Sequence, residues 1–360
     1  MTLRGLEQLM NDPGISEFMW NAFDQSYVEF NGALRPFPSP MKSREEYDQL
    51  VNELSKLPNT VGSNGLSFDG ILPDGSRFHV TLPPLSPHSA TLTIRRFSRQ
   101  HRKMQDLVAS GFLTPKLSMF LEACVKAKIN ILISGSTGAG KTTLLNALAS
   151  TVDPNERIVT IEDIPELQLR HSNWVRLLAV RDERVITVRD CLIGSLRMRP
   201  DRIIIGECRS SEALEMLQAM NTGHDGGMTT VHASSSGDAL TRLESLILFH
   251  AGAEIPIRPL RKQVSDALDL VIQIKRGANG QRFVEEVLEI VGMEGDVITR
   301  LPIFKRPENK MEYGRTMTTG HPPAFIDRLK NKGIILPKDF FDPRTLEQDV
   351  NNVTPLKRVA

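Results

Sequence analysis

The sequence predicts an α/β protein of two domains, and three observations support this. Between about residues 130 and 250, short apolar segments alternate with segments whose apolar residues recur at helical spacing, as in a parallel sheet covered by helices. A glycine-rich loop joins one of these strands to the helix that follows it. The first quarter of the chain instead shows polar–apolar alternation and two-residue turn signals, which predict a smaller, mixed α/β domain.

These patterns set the predicted boundaries. Residues 1–98 form the mixed α/β domain, 99–113 a charged linker, 114–308 the strand–helix domain, and 309–360 a polar tail dotted with proline. The expected elements are a hairpin turning at Asn31-Gly32, a helix capped by Ser43, strands at 78–82 and 91–97, a helix after Thr114-Pro115, strands at 130–134, 157–162, 202–206 and 228–232, helices at 211–221 and 237–249, and a hairpin over 270–291.

Bulk composition excludes several classes of protein. Hydrophobic residues make up 40% of the chain, which is enough for real cores and excludes a disordered protein. The 44 Lys and Arg residues nearly balance the 43 Asp and Glu residues, so the net charge does not indicate a nucleic-acid partner. The three separated cysteines form no metal or disulfide pattern, and no signal peptide or membrane span is recognisable. We therefore expect a cytoplasmic protein that meets a membrane only through partners.

Residues 135–142 read Gly-Ser-Thr-Gly-Ala-Gly-Lys-Thr and match the phosphate-binding pattern G-x-x-x-x-G-K-[ST]. Glycines allow the backbone to curl until several N–H groups point at one anion, and the N-terminus of the following helix adds partial positive charge. Lys141 can then reach the β- and γ-phosphates of a nucleotide, and Thr142 can hold Mg²⁺. The alternative is a chance match on a glycine-rich turn. The residues assigned to nucleotide binding here are Gly135, Ser136, Thr137, Gly138, Ala139, Gly140, Lys141, Thr142 and Thr143.

Two strand ends supply the acids that nucleotide hydrolysis needs. Glu207 follows the strand 202–206, and ligands of open parallel sheets bind beyond the carboxyl ends of strands. It is predicted to polarise a water near the γ-phosphate and to contact Mg²⁺; a solvated strand-end acid is the alternative. Glu162 and Asp163 end another strand, with Glu166 close behind, and three such acids need a cation or arginines among them. For these acids, water-mediated Mg²⁺ contact and a plain turn with a helix cap are both open.

Two histidines and three arginines complete the candidates. His224 and His232 flank a glycine-rich strand approach, which suits sensing of the γ-phosphate, although a lone histidine is more often structural. Their spacing is too wide for a helical metal pair. Arg77, Arg95 and Arg96 are expected on polar strand faces, where arginines are normally solvated. They become functional only if the protein is a ring in which a neighbour's arginine reaches the phosphates in trans.

Four boxes in a fixed order resemble those of secretion ATPases. Residues 160–169 resemble the aspartate box, 196–209 the Walker B region, 216–226 the histidine box, and 291–296 a further shared signature. Together they resemble the CpaF family, the ATPases of tight-adherence (Flp) pili within the type II/type IV secretion ATPase superfamily. A mid-chain cysteine clamp is missing, which argues against the type II secretion and pilus-extension branch. We expect the N-terminal extension of many relatives to be absent, and the stretch between Val175 and Val185 is short, so partner contacts stay open.

This resemblance implies a homo-hexameric ring in which a PAS-like N-terminal domain moves against a RecA-like P-loop ATPase domain. It implies hydrolysis of ATP with Mg²⁺ at subunit boundaries. It also implies coupling to an inner-membrane platform protein that assembles, or also withdraws, a pilus. By position in the boxes, Lys141 and Thr142 hold the phosphates and Mg²⁺, and Glu207 is the Walker B acid. The other residues that match box or phosphate-sensing positions are Glu162, Asp163, His224, His232, Arg77 and Arg95.

Two other functions stay open on the sequence. A translocating ATPase of type IV secretion or conjugation belongs to the same superfamily, and the genomic neighbourhood would separate it from a pilus motor. A non-hydrolysing scaffold gated by nucleotide is disfavoured by the full set of acids, and a phosphate-release assay would decide. A small-molecule kinase is disfavoured because neither an acceptor site nor a lid is recognisable.

Overall fold

The computed structural model describes residues 12, 14–30, 32–57, 60–63, 65–97, 103–181, 185–250, 255–277, 279–307 and 315–345. Contacts between Cα atoms divide the chain into two compact units, residues 1–100 with 180–185 and residues 101–179 with 186–360. Asn31 of the predicted hairpin turn, residues 99–102 of the predicted linker, and residues 309–314 and 346–360 of the predicted tail lie outside the described residues. None of the described helices is long and apolar enough to cross a membrane.

The first unit is built on one antiparallel sheet. Its elements are the strands β1 (Ile15–Ala22), β2 (Gln25–Phe30), β3 (Ala33–Phe37), β4 (Val61–Ser63), β5 (Ser67–Ile71), β6 (Arg77–Thr81) and β7 (Thr91–Arg95), and the helix α1 (Arg44–Ser55). The strand order is β3-β2-β1-β7-β6-β5-β4, with every neighbouring pair antiparallel.

Period-two alternation explains how this sheet buries one face. Phe78 and Val80 of β6 are buried in one core with Leu50 and Leu54 of α1, while His79, between them on the strand, is exposed. Ser43 caps α1, because its hydroxyl accepts the N–H of Glu46 at 3.3 Å. The predicted mixed α/β domain is confirmed for the described residues, and the finer PAS-like label stays a prediction.

The second unit is built on a larger sheet with helices on both faces. Its strands are β8 (Ile131–Gly135), β9 (Ile158–Glu162), β10 (Trp174–Leu178), β13 (Arg202–Ile205), β14 (Met228–His232), β15 (Leu270–Arg276), β16 (Arg282–Glu294), β17 (Val297–Lys305) and β18 (Met317–Thr318). The short strands β11 (Val180–Arg181) and β12 (Val185–Ile186) pair with each other, and residues 180–185 of this pair belong to the first unit. Its helices are α2 (Met104–Ala109), α3 (Pro115–Lys126), α4 (Lys141–Ala149), α5 (Val188–Ser195), α6 (Glu212–Asn221), α7 (Ser236–His250), α8 (Ile257–Ala267) and α9 (Ile326–Asn331).

Six neighbouring strands of this sheet are parallel. The order is β10-β9-β13-β14-β8-β15-β16-β17-β18, with parallel pairing from β10 to β15 and antiparallel pairing beyond. The parallel strands are apolar on both faces because helices cover both: Ile131 and Ile133 join the core that contains α3 and α4, whereas Leu132 joins the core that contains α6 and α7. The predicted, mainly parallel sheet is therefore observed, and the RecA-like label stays a prediction.

The register brings the carboxyl ends of the parallel strands together. His232 at the end of β14 pairs with Gly135 at the end of β8, and Ile274 of β15 pairs with Gly135 from the other side. Ile205, two residues before Glu207, pairs with Ile161, one residue before Glu162. The predicted phosphate loop and the predicted acids therefore lie along one edge of the sheet, called here the carboxyl edge.

Two segments differ from the sequence predictions. The predicted linker at 99–113 contains α2, whose Met104 and Leu107 are buried in the core of the second unit, so the described part of the segment belongs to that unit. The helix was not predicted because the segment is short and follows charged residues, although Met104 and Leu107 lie at helical spacing. The predicted hairpin over 270–291 continues into a third strand, β17, which pairs with β16 over most of its length.

The described part of the predicted tail packs onto the second unit. Phe325, Leu329 and Phe340 are buried in the same core as α3 and α4. Phe341 meets Phe120 of α3 edge to face, with ring centroids 5.9 Å apart. Residues 315–345 thus form an integral part of this unit, although the composition of the tail is largely polar.

Candidate functional site

The loop between β8 and α4 has the backbone that the sequence predicted. A Cβ atom at Gly135 would lie 2.7 Å from the carbonyl oxygen of Ile274, which is closer than real Cβ atoms come. Gly138 and Gly140 have positive φ angles of 71° and 105°, which favour glycine. α4 begins directly afterwards at Lys141, so its unpaired N–H groups face the loop. The glycines therefore shape a cradle for an anion at a helix N-terminus.

Lys141 lies inside this cradle. Its Nζ atom is 3.0 Å from the carbonyl oxygens of both Gly135 and Ser136, and 3.2 Å from Nδ1 of His232. The side chain is only 7% exposed, so the ammonium group is held among oxygen and nitrogen acceptors of the loop and of β14. In the rest of the loop, Ser136 and Thr137 are exposed, Ala139 is buried, and Thr143 is half-buried in the first turn of α4.

His232 connects Lys141 to the acid at the end of β13. Its Nε2 atom lies 3.0 Å from Oε1 of Glu207, and Oε2 of Glu207 accepts a hydrogen bond of 2.8 Å from Arg209. The lysine ammonium can only donate, so Nδ1 accepts from Lys141 and the proton of a neutral imidazole lies on Nε2, facing Glu207. The network extends to Asp163, whose Oδ2 lies 3.8 Å from Arg209.

This network keeps the Glu207 carboxyl ionised. Burial alone would raise its pKa, but the hydrogen bond and charge of Arg209 and the charges of His232 and Lys141 outweigh burial and lower it. A carboxylate at this position can accept a proton from water at neutral pH, which is the task of a general base. Glu207 is therefore a charged acid one imidazole away from Lys141, and its role as a general base stays a prediction.

Thr142 is held by Glu166, one of the three acids for which the sequence left Mg²⁺ contact and a plain turn both open. Its hydroxyl donates to Oε2 of Glu166 at 2.8 Å. The amide side chain of Asn146, one turn along α4, braces the same segment, since Nδ2 lies 3.4 Å from the Glu166 carbonyl and Oδ1 accepts the N–H of Gln168 at 2.8 Å. Glu166 and Thr142 therefore present hard oxygen atoms side by side at the start of α4.

Glu162 faces the protein interior. Its side chain is 2% exposed, and Oε1 accepts the N–H groups of Glu166 and Leu167, both at 2.7 Å. Oε2 lies 3.4 Å from Nε of Arg176, an ion pair without a hydrogen bond. Burial raises the pKa of this carboxyl to about 7, although the two backbone N–H groups and the Arg176 charge lower it. The contacts of Glu162 are those of a structural acid rather than of a group that touches a nucleotide.

Arginines lie near the acids Glu162 and Asp163, in agreement with the expectation that acids so close together need positive charge among them. Arg176 pairs with Glu162, and Arg209 pairs with Asp163 as well as with Glu207. Both arginines were missed as site residues. Arg209 has a recognisable signal, because it follows the strand-end acid by two residues, whereas Arg176 lies on β10 and joins the site only through the parallel pairing of β10 with β9.

The second predicted histidine lies elsewhere. His224 precedes β14 and lines a small apolar cavity, whereas His232 ends the same strand at the carboxyl edge. Four strand steps separate the two ends of β14, roughly 13 Å at 3.3 Å per residue, so the two histidines that flank this strand lie at different ends of it, and sensing of the γ-phosphate by His224 stays a prediction. Nδ1 of His224 is buried without a hydrogen-bond partner.

The three candidate arginines lie in the first unit. Arg77 and Arg95 are direct partners on β6 and β7, and Arg95 also lies 3.7 Å from Glu17. The guanidinium of Arg96 donates to the carbonyl oxygens of Asp12 and Ile15, which holds the chain before β1. Arg96 thus has a structural role, and action in trans by Arg77 or Arg95 stays a prediction.

The residues of the loop fit a nucleotide with Mg²⁺. Gly135 lets the start of the loop lie directly against Ile274 of β15, and Lys141, Thr142, Glu166 and Glu207 supply one cation and several oxygen ligands beside the loop. Among the described residues, no three His, Cys, Asp or Glu side chains converge as a metal site. Protein sites usually bind Mg²⁺ through one or two carboxylates together with substrate phosphates, and Glu166 and Glu207 are carboxylates beside this loop.

A phosphate loop at the carboxyl edge of a mainly parallel sheet is the architecture of P-loop proteins. Sequence comparison then identifies the family: the profile of the type II/IV secretion system proteins matches residues 65–295. The chain belongs to this family.

Several relatives are similar over most of the chain. A putative conjugal transfer protein of Mycobacterium tuberculosis is 32% identical over 303 residues, covering 81% of this chain and 85% of the relative. VirB11 of Agrobacterium fabrum is 31% identical and covers 76% and 88%. Among solved structures, the ATPase DotB of Legionella pneumophila has a TM-score of 0.59 at 20% identity, covering 80% of this chain and 81% of that one. The pilus retraction motor PilT with bound ADP has a TM-score of 0.58 at 22% identity, covering 80% and 83%, so both structures support the fold alone.

Proposed function

We propose that the protein hydrolyses ATP to drive a membrane-bound secretion or pilus machine. The observation that carries the proposal is the continuous network at the carboxyl edge, in which Lys141 contacts His232 and His232 contacts Glu207. A cation that can bind phosphate and an acid that can serve as a general base are thereby held on either side of one imidazole. Hydrolysis of a nucleotide needs both kinds of group at one site.

Each residue of the site has a separate role in the proposed hydrolysis. Lys141 exchanges the carbonyl oxygens of its own loop for phosphate oxygens, and the N–H groups at the start of α4 bind the same phosphates. Thr142 and Glu207 would hold Mg²⁺, which neutralises charge on the β- and γ-phosphates when bound. Glu207 takes a proton from the water whose oxygen attacks phosphorus, and the bond to the bridging oxygen breaks to leave ADP and phosphate. His232, with its proton on Nε2, orients Glu207 and can turn toward the γ-phosphate.

The proposed working form is a homo-hexamer at the cytoplasmic side of the inner membrane, acting on a platform protein. Family membership and the sequence boxes support this. In such a ring, Arg77 and Arg95 of one subunit would contact the nucleotide of a neighbour. Light scattering after size-exclusion chromatography, with and without nucleotide, tests the ring. A protein that stays monomeric and hydrolyses ATP at a rate per subunit that does not depend on protein concentration would contradict it.

The boxes of the sequence favour a tight-adherence pilus as the machine. A conjugation or type IV secretion system is the second candidate, because the relatives that share most of the chain carry names of conjugal transfer proteins and VirB11. Deletion of the gene in its host separates the two. Loss of surface pili with normal DNA transfer supports the first, and the reverse result supports the second.

Phosphate release by the purified protein tests the enzyme activity. Lys141→Ala should abolish it, because the phosphates lose their principal side-chain cation. Lys116→Ala is the matched control, since Lys116 is also buried and also lies near two backbone carbonyls, those of Asp342 and Thr345, at 3.3 and 3.2 Å. Equal activity of the two variants would contradict the assignment of the loop.

A further inference from the structure

One buried acid fastens the segment that follows β9. Oε1 of Glu162 accepts two consecutive backbone N–H groups, those of Glu166 and Leu167, both at 2.7 Å. Arg176, the ion-pair partner of Glu162, also donates to the carbonyl oxygen of Leu167. Because one oxygen of the acid accepts two consecutive N–H groups, and its arginine partner binds the carbonyl at the end of the segment, these contacts fix the backbone of the segment 163–167.

The same acid packs against the backbone next to Glu207. A Cβ atom at Gly206 would lie 3.1 Å from Cγ of Glu162 and 3.7 Å from Oε1. The backbone N–H of Gly206 also donates to the carbonyl of Ile161 at 2.9 Å. Glu162 is therefore enclosed by backbone on one side and by its own segment on the other, and it could reach a nucleotide only by breaking both hydrogen bonds.

The segment 163–167 contacts the threonine that is predicted to bind Mg²⁺. Oε2 of Glu166 accepts the hydroxyl of Thr142 at 2.8 Å, and Asn146 braces the segment from α4. Glu162 binds the backbone N–H of Glu166 and Asn146 lies near its carbonyl, while the Glu166 carboxylate accepts the hydroxyl of Thr142.

We propose that Glu162 is a positioning residue, which fixes the segment 163–167 so that Glu166 holds the Thr142 hydroxyl in place for Mg²⁺ bound with nucleotide. The inference rests on the proposed ATP binding. It replaces the expectation that Glu162 acts directly on nucleotide or metal. Two acids four residues apart then have different tasks, since Glu162 binds backbone and Glu166 faces the metal position.

Two substitutions separate positioning from direct action. Glu162→Gln keeps the length of the side chain and an oxygen that can accept both N–H groups, but removes the charge. Glu162→Asp keeps the charge but shortens the side chain by one CH₂, so the carboxylate no longer reaches both groups. Positioning predicts that Gln retains more function than Asp, whereas direct contact with Mg²⁺ predicts that Asp retains more than Gln.

The readout is the affinity for a fluorescent ATP analogue, measured with Mg²⁺ and with EDTA. We expect Glu162→Asp and Glu162→Ala to lose about tenfold of the Mg²⁺-dependent gain in affinity, in the range of supporting residues at metal sites, while affinity in EDTA stays within about twofold of the wild type. Glu162→Gln should retain most of the gain. Glu166→Gln should lose the gain as the alanine variant does.

Glu289→Ala is the matched control for loss of a buried acid. Glu289 is 3% exposed and also accepts two consecutive backbone N–H groups, those of Ala324 and Phe325, at 3.0 and 3.2 Å. It lies on β16, away from the loop, so its removal should lower the unfolding temperature without changing the Mg²⁺-dependent gain.

The outcomes distinguish the inference from the function on which it rests. An unchanged Mg²⁺-dependent gain in Glu162→Ala, a loss of equal size in Glu289→Ala, or Asp retaining more than Gln would each overturn the positioning role. If Glu162→Ala fails to fold, the order of Gln and Asp still decides. If the wild type binds no analogue, or Lys141→Ala binds it as tightly, the proposed function itself fails.

Discussion

The two edges of the nine-stranded sheet both carry charged side chains, but these side chains bind different partners. At the carboxyl edge, Lys141, His232 and Glu207 contact one another, and the His232 side chain remains 41% exposed. The opposite edge, where the parallel strands begin, is called here the amino edge. There the Arg202 side chain is completely buried, pairs with Glu156, and donates to the backbone carbonyls of Gly226 and Val125. The first network can exchange partners with an incoming ligand, whereas the second cannot without breaking the sheet.

Asn130 repeats the pattern of the amino edge. Its side chain accepts the N–H groups of Gly226 and Gly227 and donates to the carbonyl of Ala267, which joins the starts of β8, β14 and β15. Its own N–H donates to Asp269 at 2.8 Å. The comparison teaches that a buried polar side chain bonded to the backbone of several strands holds those strands together, while a network that includes partly exposed side chains, such as His232, is available for chemistry.

Glu207→Gln tests the carboxyl edge and should have the largest effect. The amide keeps the shape but cannot accept a proton, so turnover should fall by at least ~100-fold, as for loss of a general base. The free energy of unfolding should change by less than about 1 kcal/mol, because the partners Arg209 and His232 are partly exposed. Steady-state phosphate release and urea unfolding measure the two quantities.

Glu244→Gln is the control for that substitution. Glu244 is also held by an arginine, since Arg261 donates to its two oxygens at 3.0 and 3.2 Å, but it lies on α7. Its turnover should stay within about twofold of the wild type. Wild-type turnover in Glu207→Gln would end the proposed role of Glu207.

Arg202→Met tests the amino edge. Replacement of Arg202 removes the nearer charge partner of Glu156, with Lys128 remaining at 3.6 Å, and the carbonyls of Gly226 and Val125 each lose a donor. We expect unfolding to become easier by about 3–5 kcal/mol, with ATP affinity unchanged in the folded protein. Arg258→Met, at a pair that is mostly exposed, should cost about 0.5 kcal/mol or less. Equal urea midpoints for the two variants would remove the distinction between the edges.

Glu162→Gln tests whether ionisation of the buried Glu162 carboxyl lowers the stability of the protein. The pKa of Glu162 rises from 4.5 to about 7 on folding, so the folded protein favours the neutral acid. The wild type should therefore lose stability as the pH rises from about 4.5 through 7, by on the order of 2–3 kcal/mol, because the ionised form is buried. The Gln variant should lack this loss. Urea midpoints of both proteins between pH 5 and 8 measure it, and parallel curves would contradict the assignment.

Arg328→Gln should have the smallest effect. Arg328 of α9 reaches the amino edge, where it pairs with Asp269 and donates to the carbonyl of Lys128 at 3.1 Å. Its side chain is partly exposed, so solvent screens the pair, and we expect a loss of about 1 kcal/mol. Thermal unfolding measures it, with Lys330→Gln on the exposed side of α9 as a control that should not shift the midpoint. A large loss would mean that the tail holds the edge more firmly than its exposure indicates.

The sequence alone predicted the carboxyl edge better than the amino edge, for a physical reason. The loop, Glu207 and His232 follow local patterns: glycines before a helix, and polar residues directly after buried strands. Arg202 was read only as the first residue of a strand, because its partners lie 24 to 77 residues away in sequence. Contacts to distant backbone carbonyls leave no periodic signal.

The roles of the acids were also beyond local patterns. Glu162, Asp163 and Glu166 were recognised together, but which of them faces inward depends on where Arg176 and Asn146 lie in three dimensions. His224 and His232 look alike in sequence, and the length of β14 alone separates them. The helix α8 was not predicted, because Pro256 and Pro259 suggest a loop; both are tolerated, at the cap and in the first turn.

Gly135 and the carbonyl of Ile274 approach so closely that even a methyl group would force β8 and β15 apart. Gly135 also pairs with Ile274, so the start of the phosphate loop is bonded directly to β15. β15 pairs in turn with β16, and β16 with β17, as neighbouring antiparallel strands. One missing side chain thus places the first residue of the loop in direct contact with a three-stranded ribbon.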